Sequence, residues 1–204
     1  MLHILKYCLH IFARMNFLGH FYLSGASEEL IVGNFIADFV KGKRYRDYPE
    51  DIARGILMHR ENDAYTDTHE CFRKSSKRLR PKYRHYSGVI VDMFYDHMLA
   101  RNWDRYSDTS LEDYAEQIYS IIKSRWSLLP EGSRYMLPYM TRGNWLLRYA
   151  QPEGIHQSLT GLDRRTRFNS KMDEAIHDLH EHYELIAEEF SHFFHDISKE
   201  FKEG

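Results

Sequence analysis

The sequence predicts an all-α protein built as a single-domain helical bundle, and three observations lead to this fold class. Apolar side chains recur at helical spacing, whereas sustained period-2 alternation and Asn-Gly hairpin turns are hard to find. No Gly/Ser linker, low-complexity tract or internal repeat divides the 204 residues. At 43% hydrophobic and 15% aromatic, with only 5 prolines and 11 glycines, the chain is expected to bury one core rather than to be disordered.

The first fourteen residues differ in character from the rest. Their apolar run is broken by Lys6 and His10, lacks a small-residue cleavage site and is too short to span a bilayer. Met15 opens a more ordinary globular sequence. Residues 1–14 are therefore either an extension from an upstream start or a native N-terminal segment, and residues 15–204 are expected to form the helical domain.

Caps and breakers define the first two helices. Ser27, followed by two acids, starts a helix that is expected to reach about Val40 and to end at Gly42. Pro49, also followed by two acids, starts a second helix that continues to about Asp67.

Four further segments follow in order. Gly88 to Trp103 is a strongly apolar helix, and Ser110 to about Ser127 is an amphipathic one. The aromatic-rich region from Pro130 to Pro152 is expected to form shorter segments. A last helix is expected from about Thr166 to Phe201, where an apolar stripe indicates core packing or a partner groove, and its five histidines are read as a hydrated face.

Charge and cysteine content exclude several classes of function. The 28 basic and 30 acidic residues give a formal net charge of −2, so no overall excess of charge favours nucleic acid or a membrane surface as partner. Cys8 and Cys71 are too few for a disulfide framework or a thiol-rich zinc site, and their scarcity suits a reducing compartment. We expect a cytoplasmic protein.

Three predicted helices each carry two polar residues four positions apart, and such pairs share a helix face. The pairs are Asn34 and Asp38, His59 and Asp63, and Asp92 and Asp96. Several of these acids interrupt apolar segments, where an unpaired carboxylate is costly to bury. A divalent cation would relieve that cost, and His20 is a further candidate ligand. The alternative is that the acids pair with buried arginines and that the histidines are satisfied core residues.

The donor types indicate the metal and its chemistry. Carboxylates and imidazoles with few thiols favour Mn²⁺, Mg²⁺ or Fe²⁺ over zinc. Such an ion binds a phosphate oxygen and lowers the pKa of a bound water, which is a route to hydrolysis of a phosphate ester at neutral pH. His97, beside Asp96, is either a supporting group or part of the core.

One stretch concentrates positive charge without any acid between Cys71 and Tyr86. Its basic residues are Arg73, Lys74, Lys77, Arg78, Arg80, Lys82 and Arg84. Because it falls between two candidate metal helices, we expect it to rim the site and attract a polyanionic substrate. A solvated helix face followed by a turn at Pro81 is the alternative. The interleaved tyrosines leave single-stranded nucleic acid open as well, although the remaining chain does not support it.

Four motifs follow one another along the chain: MNFLGHFYLSG at 15–25, GNFIADFVKG at 33–42, GILMHRENDAYTD at 55–67 and VDMFYDHMLARNW at 91–103. In this order they resemble the acyl carrier protein phosphodiesterase family, with weaker similarity in NWLLRY at 144–149 and GLDRRTRF at 161–168. The resemblance implies hydrolysis of the phosphodiester that joins 4′-phosphopantetheine to a serine of holo acyl carrier protein, giving the apo protein and free 4′-phosphopantetheine. It also implies a metal-dependent enzyme that favours manganese, with an all-helical fold distantly similar to HD-type phosphohydrolases.

Motif matching assigns roles by resemblance. The candidate metal ligands are His20, Asp38, His59, Asp63 and Asp96, and the candidate catalytic residues are Asp38, Asp63 and Asp92. Asn34 is carried over by motif as a supporting residue, and charge and position rather than the motifs add the other candidate substrate-binding residues, which are Arg60, Arg73, Lys74, Lys77, Arg78, Arg164 and Arg165. The dipeptide Asp96-His97 reverses the order of the HD signature. Two other functions stay open: a phosphohydrolase of the HD type acting on a nucleotide or another small phosphoester, and a helical binding module without catalysis.

Overall fold

The computed structural model describes residues 17–166 and 168–202, and over these ranges the chain is helical with no strand. Its helices are α1 (Phe17–Leu23), α2 (Glu28–Ile36), α3 (Glu50–Thr68), α4 (Glu70–Tyr83), α5 (Ser87–Arg101), α6 (Leu111–Ser124), α7 (Glu131–Arg142), α8 (Trp145–Arg148), α9 (Pro152–Asp163), α10 (Ala175–Glu181) and α11 (Tyr183–Phe201). The predicted all-α class is confirmed. Residues 1–14, considered above as an extension, lie outside the described part of the chain.

Local signals place the early helices close to their predicted bounds. The Ser27 hydroxyl accepts a hydrogen bond from the Leu30 amide and caps α2, and α3 begins directly after Pro49. The α-helical geometry of α2 ends at Ile36, and the chain continues as a 3₁₀ turn over Ala37–Phe39. That tighter turn carries Asp38.

The single helix predicted from Thr166 to Phe201 is wrong. The chain instead has a turn after α9, a left-handed residue at Lys171, then α10, a break at His182, and α11. The Asp163 carboxylate holds this turn, because it accepts hydrogen bonds from the Ser170 hydroxyl and from the Met172 amide. The apolar stripe continues across the break, which explains why its periodicity suggested one helix.

Helix α5 is the centre of the bundle. Twelve of its fifteen residues are buried, and it packs against α1, α4, α9 and α11. A helix that is apolar on all sides is expected to lie in the interior. Its few polar side chains, Asp92, Asp96 and His97, are therefore surrounded by protein.

Helices α2 and α3 approach each other closely through two glycines. A Cβ atom on Gly33 would lie 2.3 Å from the Ile52 carbonyl oxygen, and one on Gly55 would lie 2.6 Å from the Leu30 carbonyl oxygen. Only glycine fits at such backbone contacts. This contact sets how close the polar residues of α3 come to the turn after α2. None of the described helices is long and apolar enough to cross a membrane.

The substitution Gly55→Ala is expected to lower the free energy of unfolding by about 3 kcal/mol, because backbone cannot yield to the added methyl group. Gly88→Ala is the matched control, since its Cβ would meet only the Phe72 ring at 4.0 Å, and it should change stability by less than about 1 kcal/mol. Urea denaturation measures both. Equal stabilities of the two variants would contradict the close α2–α3 contact.

Candidate metal centre

Four side chains from three segments meet beside α5, and we call them the His-Asp cluster. They are His20 on α1, Asp38 in the turn after α2, and His59 and Asp63 on α3. The last two lie one helical turn apart and so share a face, as their spacing predicts. The close contact between α2 and α3 brings Asp38 to the same place.

The distances within the cluster are short. Nε2 of His20 lies 3.4 Å from Oδ1 of Asp63, and Nε2 of His59 lies 3.6 Å from Oδ2 of the same carboxylate. Nε2 of His59 is also 3.6 Å from Oδ1 of Asp38. Ligand atoms of His20, His59 and Asp63 all lie within 4.8 Å of one another, so these three side chains could hold a metal ion.

The protonation state of His20 suits a metal. The two imidazole rings stack with their centroids 4.0 Å apart, and both side chains are buried. Burial lowers the pKa of His20, and the neighbouring His59 lowers it further, against the opposing effect of Asp63 and Asp38. A neutral imidazole is the form that binds a metal.

The hydrogen bonds of His20 indicate whether a cation fits the His-Asp cluster. Both ring nitrogens of His20 are buried without a hydrogen-bond partner among the described residues, and 3.4 Å to Asp63 is longer than an ordinary N–H···O bond. Leaving buried polar atoms unsatisfied is costly. Imidazole nitrogen and carboxylate oxygen are donors that first-row divalent ions accept, so the residues present fit such an ion.

Asp96, a predicted metal ligand, accepts two hydrogen bonds from backbone amides. Its Oδ2 accepts from the Leu18 amide at 3.0 Å and its Oδ1 accepts from the Gly19 amide at 2.9 Å. These amides belong to the first turn of α1, where a carboxylate satisfies groups that the helix leaves unpaired. Burial raises the pKa of Asp96 to about 7, although both amide hydrogen bonds act in the opposite direction. Asp96 thereby holds the helix that carries His20.

Asp92 lies one turn before Asp96 on α5, and both line a cavity next to His20. The i, i+4 spacing therefore correctly placed them on one face. The ligand atoms that lie within 4.8 Å of one another belong to other residues, so Asp92 lies beside the three-residue group rather than within it.

Two predicted substrate-binding residues make hydrogen bonds that hold the backbone beside the cluster. The Asn34 amide donates to the Ser24 hydroxyl at 2.7 Å, and that hydroxyl donates to the His20 carbonyl oxygen at 2.9 Å. The Arg60 guanidinium donates to the carbonyl oxygens of Val40 and Gly42, two and four residues after Asp38. In these contacts both residues position backbone.

His97 is a core residue. Its Nδ1 lies 2.7 Å from the Tyr149 carbonyl oxygen, and burial lowers the pKa of the imidazole. Of the two interpretations that its position allowed, the structure favours the core one.

The basic stretch forms most of α4, which continues through Pro81 instead of turning there. Three of its cations have acidic partners. Lys74 pairs with Glu70, Arg78 makes a bidentate pair with Glu189 of α11, and Lys82 pairs with Glu174 and Asp178. Arg78 therefore joins two helices rather than facing solvent.

The other four cations of the stretch, Arg73, Lys77, Arg80 and Arg84, are exposed, and none forms an ion pair with another described residue. Arg73, Lys77 and Arg80 lie on α4 at intervals of four and three residues, so they share one side of the helix, and we call them the basic face of α4. Arg84 follows the end of α4 with a positive φ of 52°.

Arg164 and Arg165 lie at the end of α9 and after it, and both are exposed. Arg165 lines a cavity with Trp145 and Arg148. No member of the His-Asp cluster lines that cavity.

Sequence reasoning missed Asn62. This residue is 1% exposed and precedes Asp63, and it lines the cavity together with His20, Asp92 and Asp96. Its position three residues after His59 on the same helix was a signal that could have identified it.

Part of the apolar stripe of α11 forms an apolar wall of this cavity, and the stripe otherwise packs into the core. Its residues in the wall are Phe190, Phe193, Phe194 and Ile197. The prediction of a core role for the stripe is thus confirmed.

Comparison with known proteins gives a consistent result. The sequence profile of the family described as acyl carrier protein phosphodiesterase matches residues 15–197. A curated protein of that name from Yersinia enterocolitica is 32% identical over 181 residues, covering 88% of this chain and 94% of the relative. Its counterpart from Photorhabdus laumondii is 34% identical over 170 residues, covering 83% and 86% of the two chains. No solved structure shows a significant match.

The substitution Asp63→Asn is expected to remove stabilisation by Mn²⁺. An ion that binds only the folded state at one hundred times its Kd stabilises that state by about 2.7 kcal/mol, which raises the melting temperature by several degrees. Differential scanning calorimetry with and without Mn²⁺ measures the shift. Glu61→Gln, an exposed site on the same helix, should keep the full shift, and a full shift in Asp63→Asn would exclude this carboxylate as a ligand.

Proposed function

The chain belongs to the acyl carrier protein phosphodiesterase family, and from this membership we propose that it is a metal-dependent hydrolase of holo acyl carrier protein. The bond cleaved is the phosphodiester between 4′-phosphopantetheine and a serine of the carrier. Water is the second substrate, and the products are the apo carrier and free 4′-phosphopantetheine. We place the reaction in the cytoplasm.

The observation that carries this proposal is the His-Asp cluster. Two buried imidazoles and a carboxylate converge within 4.8 Å, and the Asp38 carboxylate joins them at 3.6 Å from His59. Mixed nitrogen and oxygen donors without thiolate favour manganese, and Mg²⁺ or Fe²⁺ satisfies the same donors. His20, Asp38, His59 and Asp63 would hold the ion.

When bound there, a divalent ion neutralises charge on the phosphodiester and makes water a stronger nucleophile at neutral pH. The protein residues supply position. Asp96 holds the first turn of α1, and Asn34 acts through Ser24 on the last, so His20 is fixed from both ends of its helix. Arg60 fixes the backbone that follows Asp38.

Proton transfer completes the reaction. The attacking water must lose a proton as its oxygen bonds to phosphorus, and the serine oxygen must gain one as its bond to phosphorus breaks. Asp92 is our candidate proton acceptor, because it is buried beside His20 and lies outside the group of converging ligand atoms.

Carrier proteins of this type are small and acidic, so a basic surface favours their approach. We propose the basic face of α4 for this role. It replaces the wider set of cations in the stretch, since Lys74, Arg78 and Lys82 are paired with acids of the same chain.

The reaction is tested by following the mass of holo acyl carrier protein during incubation with the purified protein and Mn²⁺, with and without a chelator. We expect loss of the phosphopantetheine mass only when free metal is present. Asp38→Ala should fold, as judged by circular dichroism. Its turnover should fall by more than about 100-fold, which is the upper end of the loss when a residue that only supports the metal ligands is replaced. An unchanged carrier mass with folded, metal-loaded protein would contradict the assignment.

Carrier docking is tested with the triple variant Arg73→Gln, Lys77→Gln, Arg80→Gln. Exposed ion pairs contribute roughly 0.2–1 kcal/mol each, so KM for the carrier should rise about tenfold at low salt and depend less on ionic strength. Hydrolysis of a small phosphodiester should stay nearly unchanged. The charge-matched control is Lys123→Gln, Arg142→Gln, Lys199→Gln on other helices, and an equal rise in KM for both variants would contradict docking at α4.

A further inference from the structure

The cavity beside the His-Asp cluster has two unlike walls. One wall is polar and includes His20, Asn62, Asp92 and Asp96, and the other is built by aromatic and aliphatic side chains of α11. The cavity offers about 30 Å³ to the centres of water-sized molecules, whereas one water needs roughly 10–15 Å³ measured in this way. It therefore has room for two or three waters, next to a polar wall.

Asn62 is the least satisfied group in that wall. Its side chain is 1% exposed, and neither its amide nitrogen nor its amide oxygen has a hydrogen-bond partner among the described residues. A buried amide without partners is costly, and an apolar residue of similar size would avoid that cost. The position thus indicates a ligand for the amide.

His20 lines the same cavity and also lacks a hydrogen-bond partner there. Its Nε2 faces Asp63, and its Nδ1 is buried without a partner in the described part of the structure. A metal-bound histidine commonly donates its second N–H to a carboxylate, a carbonyl or a water, which fixes the ring. No protein acceptor performs this role for His20 among the described residues, and a water can.

We propose that Asn62 holds a buried water in this cavity, and that this water accepts the hydrogen bond from Nδ1 of His20 and so positions the imidazole for metal binding. The amide of Asn62 bonds the water on one side, and the neighbouring carboxylates of Asp92 and Asp96 and the hydroxyl of Thr66 are within the same lining. Buried waters make about three hydrogen bonds, which this set can supply. Asn62 is thereby a positioning residue that acts through His20.

The proposal rests on the metal centre of the proposed function and can be tested without the carrier protein. The measurement is the Kd for Mn²⁺ by competition with a metal-sensitive dye. Asn62→Leu should weaken Mn²⁺ binding by about 10- to 100-fold, which is the range for residues that orient a metal-binding side chain without contacting the metal. Asn62→Ser keeps a polar group and leaves room for water, and should stay within a few-fold of the parent protein.

Thr160→Val is the matched control, because Thr160 also has a buried oxygen without a partner among the described residues but lies on α9, away from the cavity lining. It should leave the Kd for Mn²⁺ unchanged. Circular dichroism confirms that each variant is folded, and if the leucine variant is not, a crystal structure of the manganese-loaded parent protein tests for the buried water directly.

Two results would overturn the proposal. One is an Asn62→Leu variant with a higher melting temperature and an unchanged Kd for Mn²⁺, because this result would show that the Asn62 amide binds no ligand in the parent protein. The other is a crystal structure of the manganese-loaded protein in which the cavity is dry. Weak metal binding in Asn62→Leu, combined with a parent protein that fails to hydrolyse the carrier, would support the role of Asn62 and reject only the substrate.

Discussion

The backbone contact between α2 and α3 is the constraint on which the candidate centre depends. Gly33 and Gly55 let the two helices approach so closely that a methyl group on either would overlap backbone atoms of the other. Because His59 lies one turn after Gly55 and Asp38 follows Gly33 by five residues, the contact brings an imidazole and a carboxylate within 3.6 Å. A wider spacing of these helices would separate donors that come from different segments of the chain.

The central helix α5 supplies the second constraint, because it carries charge into the core. Asp96 is bound by two backbone amides of α1, residues that are nearly eighty positions earlier in the chain. A buried carboxylate is tolerated when it accepts such hydrogen bonds, and here the same bonds orient the helix that presents His20. The cost of burying polar groups is therefore offset by interactions that also build the site.

Much of the architecture follows from local signals. Ser27 caps α2, Pro49 precedes α3, and the i, i+4 spacing of His59 and Asp63 places them on one face, all as predicted. Longer-range organisation was less predictable. The turn after α9 depends on the Asp163 carboxylate reaching Ser170 and Met172, a contact that leaves no periodic trace in the sequence, so a helix was predicted to start at Thr166, where the chain turns before α10.

The sequence by itself determined the fold class, the family resemblance and the types of residue that meet in the candidate centre, because helix caps, apolar spacing and donor chemistry are local properties of the chain. Tertiary structure alone decided which donors converge. In the folded protein Asp96 bonds the amides of α1, and Arg78 pairs with Glu189. Asn62 lines a cavity together with residues of α11. These outcomes depend on the distances between helices that are remote in sequence, and residue spacing within one helix carries no information about them.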